Sequence, residues 1–182
     1  MVDEGEISFL AKQKVAVAHN PSSNLKLASG IAPVAQLQKA GVLVSLGTDG
    51  AASNNRLDMF TELRTASLIH KVTNQDPTVL SAETALRMAT INGARALGLG
   101  DQIGSLEPGK KADLIMVDLE QSHLTPCFNP VSLMVYAARG SDVADVMVNG
   151  EWLVREREMV KWDEAQIRSA AAQTAWDLYQ RE

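Results

Sequence analysis

The stretch Val42-Leu43-Val44-Ser45-Leu46-Gly47-Thr48-Asp49-Gly50 decides the fold class of this chain. Its first half is a nearly continuous apolar run, which is typical of a strand buried in a sheet of an α/β protein. The run ends in a single carboxylate, Asp49, with a glycine on either side of the Thr-Asp pair. Reactive groups of parallel sheets and barrels lie at the C-terminal ends of strands. The pattern therefore predicts a core strand that presents Asp49 at its tip.

The residues before this strand complete a strand-loop-helix-strand unit. Residues 15–19 form a short apolar run that predicts a second buried strand, and residues 20–24 are turn formers. Residues 32–40 predict a helix, with Pro33 in its first turn and Gly41 directly after its end. An α/β fold follows from this order.

Two longer helices are predicted after Asp49, over residues 58–72 and 82–97, from apolar residues three or four positions apart. Short β-like segments at 112–118 and 143–154 follow, and Asn149-Gly150 in the second of them predicts a type I′ hairpin turn.

A terminal helix is predicted over residues 163–179, with an apolar stripe that we expect to pack on its own domain. The stripe consists of Ile167, Ala171, Ala175 and Leu178. The expected domains are therefore 1–100, 101–160 and 161–182.

Composition and charge narrow the classes of function. Hydrophobic residues make up 46% of the 182 residues and charged residues 21%, as in ordinary globular proteins. The net charge of −5 and the absence of a basic cluster argue against nucleic acid or a membrane as the partner and favour a small ligand. The single Cys127 excludes an internal disulfide, and no signal peptide or run of about 18 apolar residues is found. We therefore expect a cytoplasmic protein.

Asp49 by itself supports two interpretations. Before a glycine, an aspartate is often a turn residue or a helix cap. A hydrolytic metal site needs three or four protein ligands, and this chain offers only three histidines and one cysteine besides its carboxylates. From spacing alone, the structural interpretation of Asp49 is therefore the commoner one.

The other polar candidates also have structural interpretations. His19 is expected to be a strand-end histidine satisfied by the backbone, and His70 a cation that suits the end of a helix. His123 lies in a predicted loop, and Cys127 is expected to be a packed thiol. Residues 53–55, Ser-Asn-Asn, either line a pocket or cap the next helix.

Two motifs resemble the amidohydrolase superfamily: HNPSSNLKL at residues 19–27 and LGTDGAASNN at 46–55. The longer run LGTDGAASNNRLDMFTELRTASLIHK, residues 46–71, is similar to the aminohydrolase branch, which includes deaminases of 5-methylthioadenosine and S-adenosylhomocysteine. The segment GSLEPGKKADLI at 104–115 resembles the point where these enzymes enter a small β-sandwich domain.

The resemblance implies a distorted (β/α)8 barrel, of which this chain supplies the last two strands and helices, part of the β-sandwich domain and a C-terminal helix. It implies that Asp49 is catalytic, a ligand of zinc or iron and a substrate-binding residue, which holds the attacking water and passes its proton to the leaving ammonia. It places His19 near the substrate. The family's metal-binding histidines have no matching positions in this sequence.

The implied function is hydrolytic deamination of a purine nucleoside, with the isolated chain inactive. Alternatives are a guanine deaminase or triazine hydrolase of the same branch, or a non-catalytic half-barrel that serves binding or assembly. The open edge of the strand at residues 15–17 favours a homo-oligomer or association with a missing N-terminal half.

Overall fold

Two sheets organise residues 2–180, the part of the chain that the computed structural model describes. Strands β1 (Ala16–His19) and β2 (Leu43–Leu46) run parallel, with His19 opposite Leu46. The parallel pairing places the C-terminal tips of both strands side by side. The predicted domain ends include residue 1 and residues 181–182, which lie outside the described part.

Helices surround the parallel pair and connect its strands. They are α1 (Glu4–Lys12), α2 (Pro21–Lys26), α3 (Val34–Lys39), α4 (Ala51–Asn54), α5 (Met59–Asn74), α6 (Ala82–Ala89) and α7 (Ile91–Ala96). Helices α3, α6 and α7 contact β2, so that strand is buried as its apolar run predicts. The side chains of Val44, Leu37 and Met88 in this core are at most 1% exposed.

The second sheet is antiparallel and follows residue 100. Its strands, in the order β3-β4-β5-β6, are β3 (Leu114–Val117), β4 (Val143–Val148), β5 (Glu151–Arg155) and β6 (Glu158–Met159). The predicted hairpin turn between β4 and β5 is confirmed, because Asn149 and Gly150 both have positive φ, 51° and 80°. A helix, α8 (Pro130–Tyr136), lies between β3 and β4 in sequence and contacts α5 and α6.

Two sequence predictions about local structure are wrong. Residues 20–24 were predicted to form a turn but lie largely in α2, which Pro21 begins at the first helical position, where its missing N–H costs nothing. The single helix predicted over 82–97 is broken at Thr90, whose φ of −124° and ψ of −99° are not helical. The break lets Asn92 donate a hydrogen bond to the Val44 carbonyl of β2, at 2.9 Å.

The predicted terminal helix forms as α9 (Glu164–Tyr179), but the expected packing of its apolar stripe is wrong. Within the described residues, no side chain of α9 is buried, and Ile167, Trp176 and Leu178 are each more than half exposed. An apolar stripe shows that a helix can pack but does not specify the surface that receives it.

The loop around residues 121–129 contains two further predicted residues. His123 lies in a single 3-10 turn, Ser122–Leu124, and its Nε2 atom lies 2.9 Å from a carboxylate oxygen of the buried Asp142, in agreement with a structural role. Cys127 is exposed, so its interpretation as a packed thiol is wrong. The side chain that fills the core from this loop is Leu124, which is fully buried.

Truncating the core beside β2 should destabilise the fold. We expect Leu37→Ala, at a side chain 1% exposed, to lower the free energy of unfolding by about 2–5 kcal/mol, because it removes buried methyl groups and leaves a cavity. Leu97→Ala, at a side chain 75% exposed, should change it by less than about 0.5 kcal/mol. Urea unfolding followed by circular dichroism checks both, and equal losses would contradict the assigned core.

Candidate active site

A backbone hydrogen bond joins the C-terminal ends of β1 and β2, just before the loops that follow them. The Gly47 N–H donates to the His19 carbonyl at 2.9 Å, which extends the parallel ladder by one bond past the end of β2. An added Cβ at Gly47 would lie 2.5 Å from Oδ1 of Asn20. A larger residue at this position would therefore require the side chain of Asn20 to move.

Asp49 follows in a left-handed backbone conformation, with φ of 64°. Aspartate tolerates this region better than most residues because its short polar side chain forms local hydrogen bonds. The Thr48 hydroxyl donates to the Asp49 carbonyl at 3.0 Å, and the side chain of Asp49 is exposed at the tip of β2. The sequence prediction of its position is thereby confirmed, whereas its catalytic and metal-binding roles stay predictions.

Two donors fix the carboxylate of Asp49. The Ser23 hydroxyl of α2 donates to Oδ2 at 2.7 Å, and the Gly50 N–H donates to Oδ1 at 2.7 Å. The bond from Ser23, with smaller contributions from the Ser53 hydroxyl and the Gly50 N–H, lowers the pKa of Asp49 below its ordinary value, so the group is ionised at neutral pH. An ionised carboxylate accepts about four hydrogen bonds or metal contacts, so both oxygens keep capacity for a ligand.

The loop after Asp49 is tied to two neighbouring helices. Lys26 of α2 donates to the Ala52 carbonyl at 3.0 Å and also to the side chain of Asn55. Asn54 donates to the Thr48 carbonyl at 2.6 Å and to Glu62 of α5 at 2.9 Å. These bonds hold the loop that carries Asp49 in one conformation.

The expected capping role of residues 53–55 is wrong for the long helix α5. Ser53 and Asn54 belong to the short helix α4, which ends at Asn55 with a left-handed φ of 67°. The cap of α5 is Asp58, whose side chain accepts from the Phe60 N–H at 2.9 Å. Each helix thus has its own terminating or capping residue.

His19 and His70 form a buried pair that sequence reasoning missed. Their Nε2 atoms lie 3.0 Å apart, and the side chains are only 2% and 1% exposed. Burial, with the neighbouring His70, lowers the pKa of His19 from 6.5 to about 4, and burial lowers the pKa of His70. His70 is therefore neutral at pH 7, and its interpretation as a helix-end cation is wrong. Fifty-one positions separate the two residues, so no local pattern pointed to the pair.

The predicted substrate contact of His19 remains a prediction. Its backbone does lie at the tip of β1, beside the loop of Asp49, but its imidazole points into the core toward His70. Within residues 2–180, the Nδ1 atom of His19 is a buried polar atom without a hydrogen-bond partner.

The residues present fit a metal only in part. Asp49 offers the carboxylate oxygens that divalent metals accept, in an ionised and exposed group. In the described part of the chain, however, no three His, Cys, Asp or Glu side chains are placed to share one ion. Asp49 alone does not make a closed metal site.

A separate cavity of about 770 Å³ opens beside α7 and the loop at residues 100–110, lined in part by Arg87, Arg95 and Lys110. Neither Asp49 nor His19 lines it.

No helix within residues 2–180 is long and apolar enough to cross a membrane.

Parallel strands covered by helices, with polar side chains gathered at the C-terminal strand tips, are the elements of an α/β barrel active site. The chain belongs to the amidohydrolase family, whose sequence model matches residues 1–153. The resemblance in the two strand-tip motifs is thus confirmed, together with the α/β fold class.

Among curated relatives, the chain is 58% identical over 162 residues to a 5-methylthioadenosine/S-adenosylhomocysteine deaminase from Moorella thermoacetica, covering 89% of this chain and 38% of the relative. It is 49% identical over 180 residues to a 5'-deoxyadenosine deaminase from Methanosarcina barkeri, covering 99% of this chain and 41% of the relative. The chain therefore spans about two fifths of the length of the relatives it matches.

Two solved structures share the fold. An adenosine deaminase from Xanthomonas campestris, with bound zinc, superposes with a TM-score of 0.96 at 46% identity over 99% of this chain and 41% of that one. An atrazine chlorohydrolase from Arthrobacter aurescens, with zinc, gives 0.89 at 30% identity over 95% and 38%. Such neighbours are (β/α)8 barrels, whereas the strands described here do not close a barrel.

The close approach at the strand tips gives a paired test. We expect Gly47→Ala to destabilise the protein by about 0.5–1.5 kcal/mol, because its Cβ would force the side chain of Asn20 into another rotamer. Gly50→Ala should be tolerated, since a Cβ there meets no atom and its φ of −74° suits alanine. Urea unfolding of both variants measures the difference; if Gly50→Ala costs as much, the Asn20 contact is not the cause.

The histidine pair predicts how stability depends on pH. Because folding lowers both pKa values, the unfolded chain binds more protons below pH 6.5, so stability is full above pH 6.5 and declines on acidification, for His19 down to about pH 4. The loss should reach at most about 1.4 kcal/mol per pH unit for each histidine. Urea unfolding from pH 7.5 to 5 measures the slope. His70→Gln should reduce it, and an unchanged slope in that variant would contradict the assignment.

Proposed function

We propose that this chain supplies the Asp49 part of a metal-dependent aminohydrolase that hydrolytically deaminates a purine nucleoside such as 5-methylthioadenosine or S-adenosylhomocysteine. The observation that most directly supports this proposal is the ionised carboxylate of Asp49, held at the tip of a parallel strand by Ser23 and Gly50. Membership of the amidohydrolase family and the names of the relatives support the choice of reaction.

The substrate class is proposed from likeness. Relatives named as deaminases of 5-methylthioadenosine, S-adenosylhomocysteine or 5'-deoxyadenosine are 48–58% identical to this chain. The atrazine chlorohydrolase is 30% identical and a guanine deaminase from E. coli 29% identical. The higher sequence identity to the adenosine-type deaminases favours an adenosine-type substrate, with a triazine or guanine as the alternative.

The proposed chemistry adds water to the ring carbon that bears the exocyclic amine and expels ammonia. Asp49 would help to hold a divalent metal, zinc in preference to iron by likeness to the Xanthomonas campestris structure, and such a metal would supply an activated water by lowering its pKa toward about 7. The part of Asp49 is to accept the proton of that water at a carboxylate oxygen and hand it to the leaving amine. Its lowered pKa keeps it deprotonated for this role, and Ser23 and Gly50 fix its orientation.

The remaining metal ligands are proposed to come from outside the described residues. Either an N-terminal half of the same family or a second copy of the chain would supply them, next to the strand edges that β1 and β2 leave unpaired within residues 2–180.

We propose residues 1–100 as the barrel part, 101–160 as β-sandwich and 161–182 as a terminal helix. The lone, free Cys127 supports a cytoplasmic location.

A complementation assay tests the proposal. The chain alone should release no ammonia from 5-methylthioadenosine. Mixed with zinc and the N-terminal portion of the Moorella thermoacetica relative that the chain does not match, it should do so. Asp49→Asn should lower this activity by at least about 100-fold, because it removes the proton acceptor. Asp101→Asn, at an exposed aspartate away from the strand tips, is the matched control and should leave activity unchanged.

Three outcomes would contradict parts of the proposal. Turnover by the chain alone with one tightly bound zinc would mean that the ligand set is complete without another segment. Complementation that Asp49→Asn leaves intact would remove Asp49 from the reaction. A monodisperse monomer in light scattering that no N-terminal portion activates would favour the non-catalytic binding module.

A further inference from the structure

We propose that Glu62 is the positioning residue of Asp49. Its carboxylate joins the two segments that determine where the Asp49 side chain lies, namely the first turn of α2 and the loop from Thr48 to Asn54. The inference rests on the proposed function only in taking Asp49 to be the reactive carboxylate.

Glu62 is an unusual side chain for the core. It lies in the first turn of α5 and is 0% exposed. Burying a carboxylate costs several kcal/mol unless hydrogen bonds or an opposite charge compensate it, so a buried glutamate needs a reason. Among the described residues, Glu62 takes part in no ion pair, so hydrogen bonds from neutral donors must provide the compensation.

The first of these bonds leads to α2. Oε2 of Glu62 accepts from the Ser22 N–H at 3.1 Å, and the next residue, Ser23, donates its hydroxyl to Asp49. The N-cap residue of α2, Asn20, makes no capping bond with its own side chain. Glu62 therefore satisfies a free N–H of this helix from another element and fixes the turn that carries Ser23.

The second bond leads to the loop. Oε1 of Glu62 accepts from the Asn54 amide at 2.9 Å, and the same amide donates to the carbonyl of Thr48 at 2.6 Å. Thr48 is the residue directly before Asp49. Glu62 thus fixes the separation between Ser23, which donates to Asp49, and Thr48, which precedes Asp49 in the chain.

The geometry requires a carboxylate rather than an amide. Both partners of Glu62 are N–H donors, and a carboxylate accepts at both oxygens. A glutamine has the same shape but offers one acceptor and one donor. In either orientation, its amide nitrogen would face a donor of Ser22 or Asn54 and lose that bond.

The test compares Glu62→Gln with wild type by NMR, on the whole chain and without metal or substrate. The matched control is Glu83→Gln, the same change at an exposed residue of α6. Two signals report on Asp49 directly: the ¹³Cγ chemical shift of its carboxylate, and the exchange rate of the Gly50 amide, which donates to it.

We expect Glu62→Gln to move the ¹³Cγ signal of Asp49 and to speed exchange at Gly50 by about tenfold, through local opening of the loop. Exchange at Val44 in β2 should change by less than about threefold, which shows that the fold is intact. Glu83→Gln should change neither signal. A purely structural role for Glu62 would lower global stability without moving the Asp49 signal in the folded protein, and that result would overturn the proposal.

A second variant keeps the proposal testable if Glu62→Gln does not fold. Asn54→Ala, at a partly exposed residue, removes the loop end of the same connection. It should move the ¹³Cγ signal of Asp49 and speed Gly50 exchange, because it removes the amide that links Glu62 to the Thr48 carbonyl. An unchanged Asp49 signal in Asn54→Ala would overturn the proposal.

These measurements separate the inference from the proposed function. They need neither turnover nor zinc, so loss of the positioning effect would leave the complementation result standing. Conversely, Glu62 could position Asp49 even if Asp49 takes no part in deamination. In that case Glu62→Gln would show the NMR changes, and Asp49→Asn would retain activity in the complementation assay.

Discussion

The parallel pairing of β1 with β2 is the constraint on which the rest of the structure depends. Its register sets His19 opposite Leu46, and the bond from Gly47 to His19 carries the ladder past the strand ends. Two loops far apart in sequence therefore start from adjacent points. The close approach brings the side chain of Asn20 into the space beside Gly47.

Hydrogen bonds between polar groups then connect the two adjacent loops and form a defined site. A short strand tip exposes backbone and side-chain donors that must be satisfied. Within the described residues, Asp49 accepts from the Ser23 hydroxyl and the Gly50 N–H, and the buried Glu62 accepts from the Ser22 N–H and the Asn54 amide. Asp49 is left exposed and ionised at the centre. Hydrogen bonds rather than apolar packing fix the loop, which suits a group that must keep its orientation in contact with solvent.

Partial coverage of the family accounts for the proposed metal role of Asp49 resting on a single carboxylate among the described residues. The chain matches the amidohydrolase model over residues 1–153 but spans about two fifths of its relatives. A barrel site collects ligands from several strand tips, so two neighbouring strands supply only their share. The orientation of Asp49 comes from local hydrogen bonds, and within the described residues no three potential ligands are placed to share one ion.

The sequence by itself determined the features that depend on local chemistry: the buried strand ending at Asp49, the Asn149-Gly150 turn and the family. Apolar runs, left-handed turns and motifs are encoded within a few neighbouring residues. Only the tertiary structure decided the break at Thr90, the exposure of α9 and the pairings of His19 with His70 and of Glu62 with its two donors. These depend on contacts between residues far apart in sequence, and no periodicity records which distant groups meet.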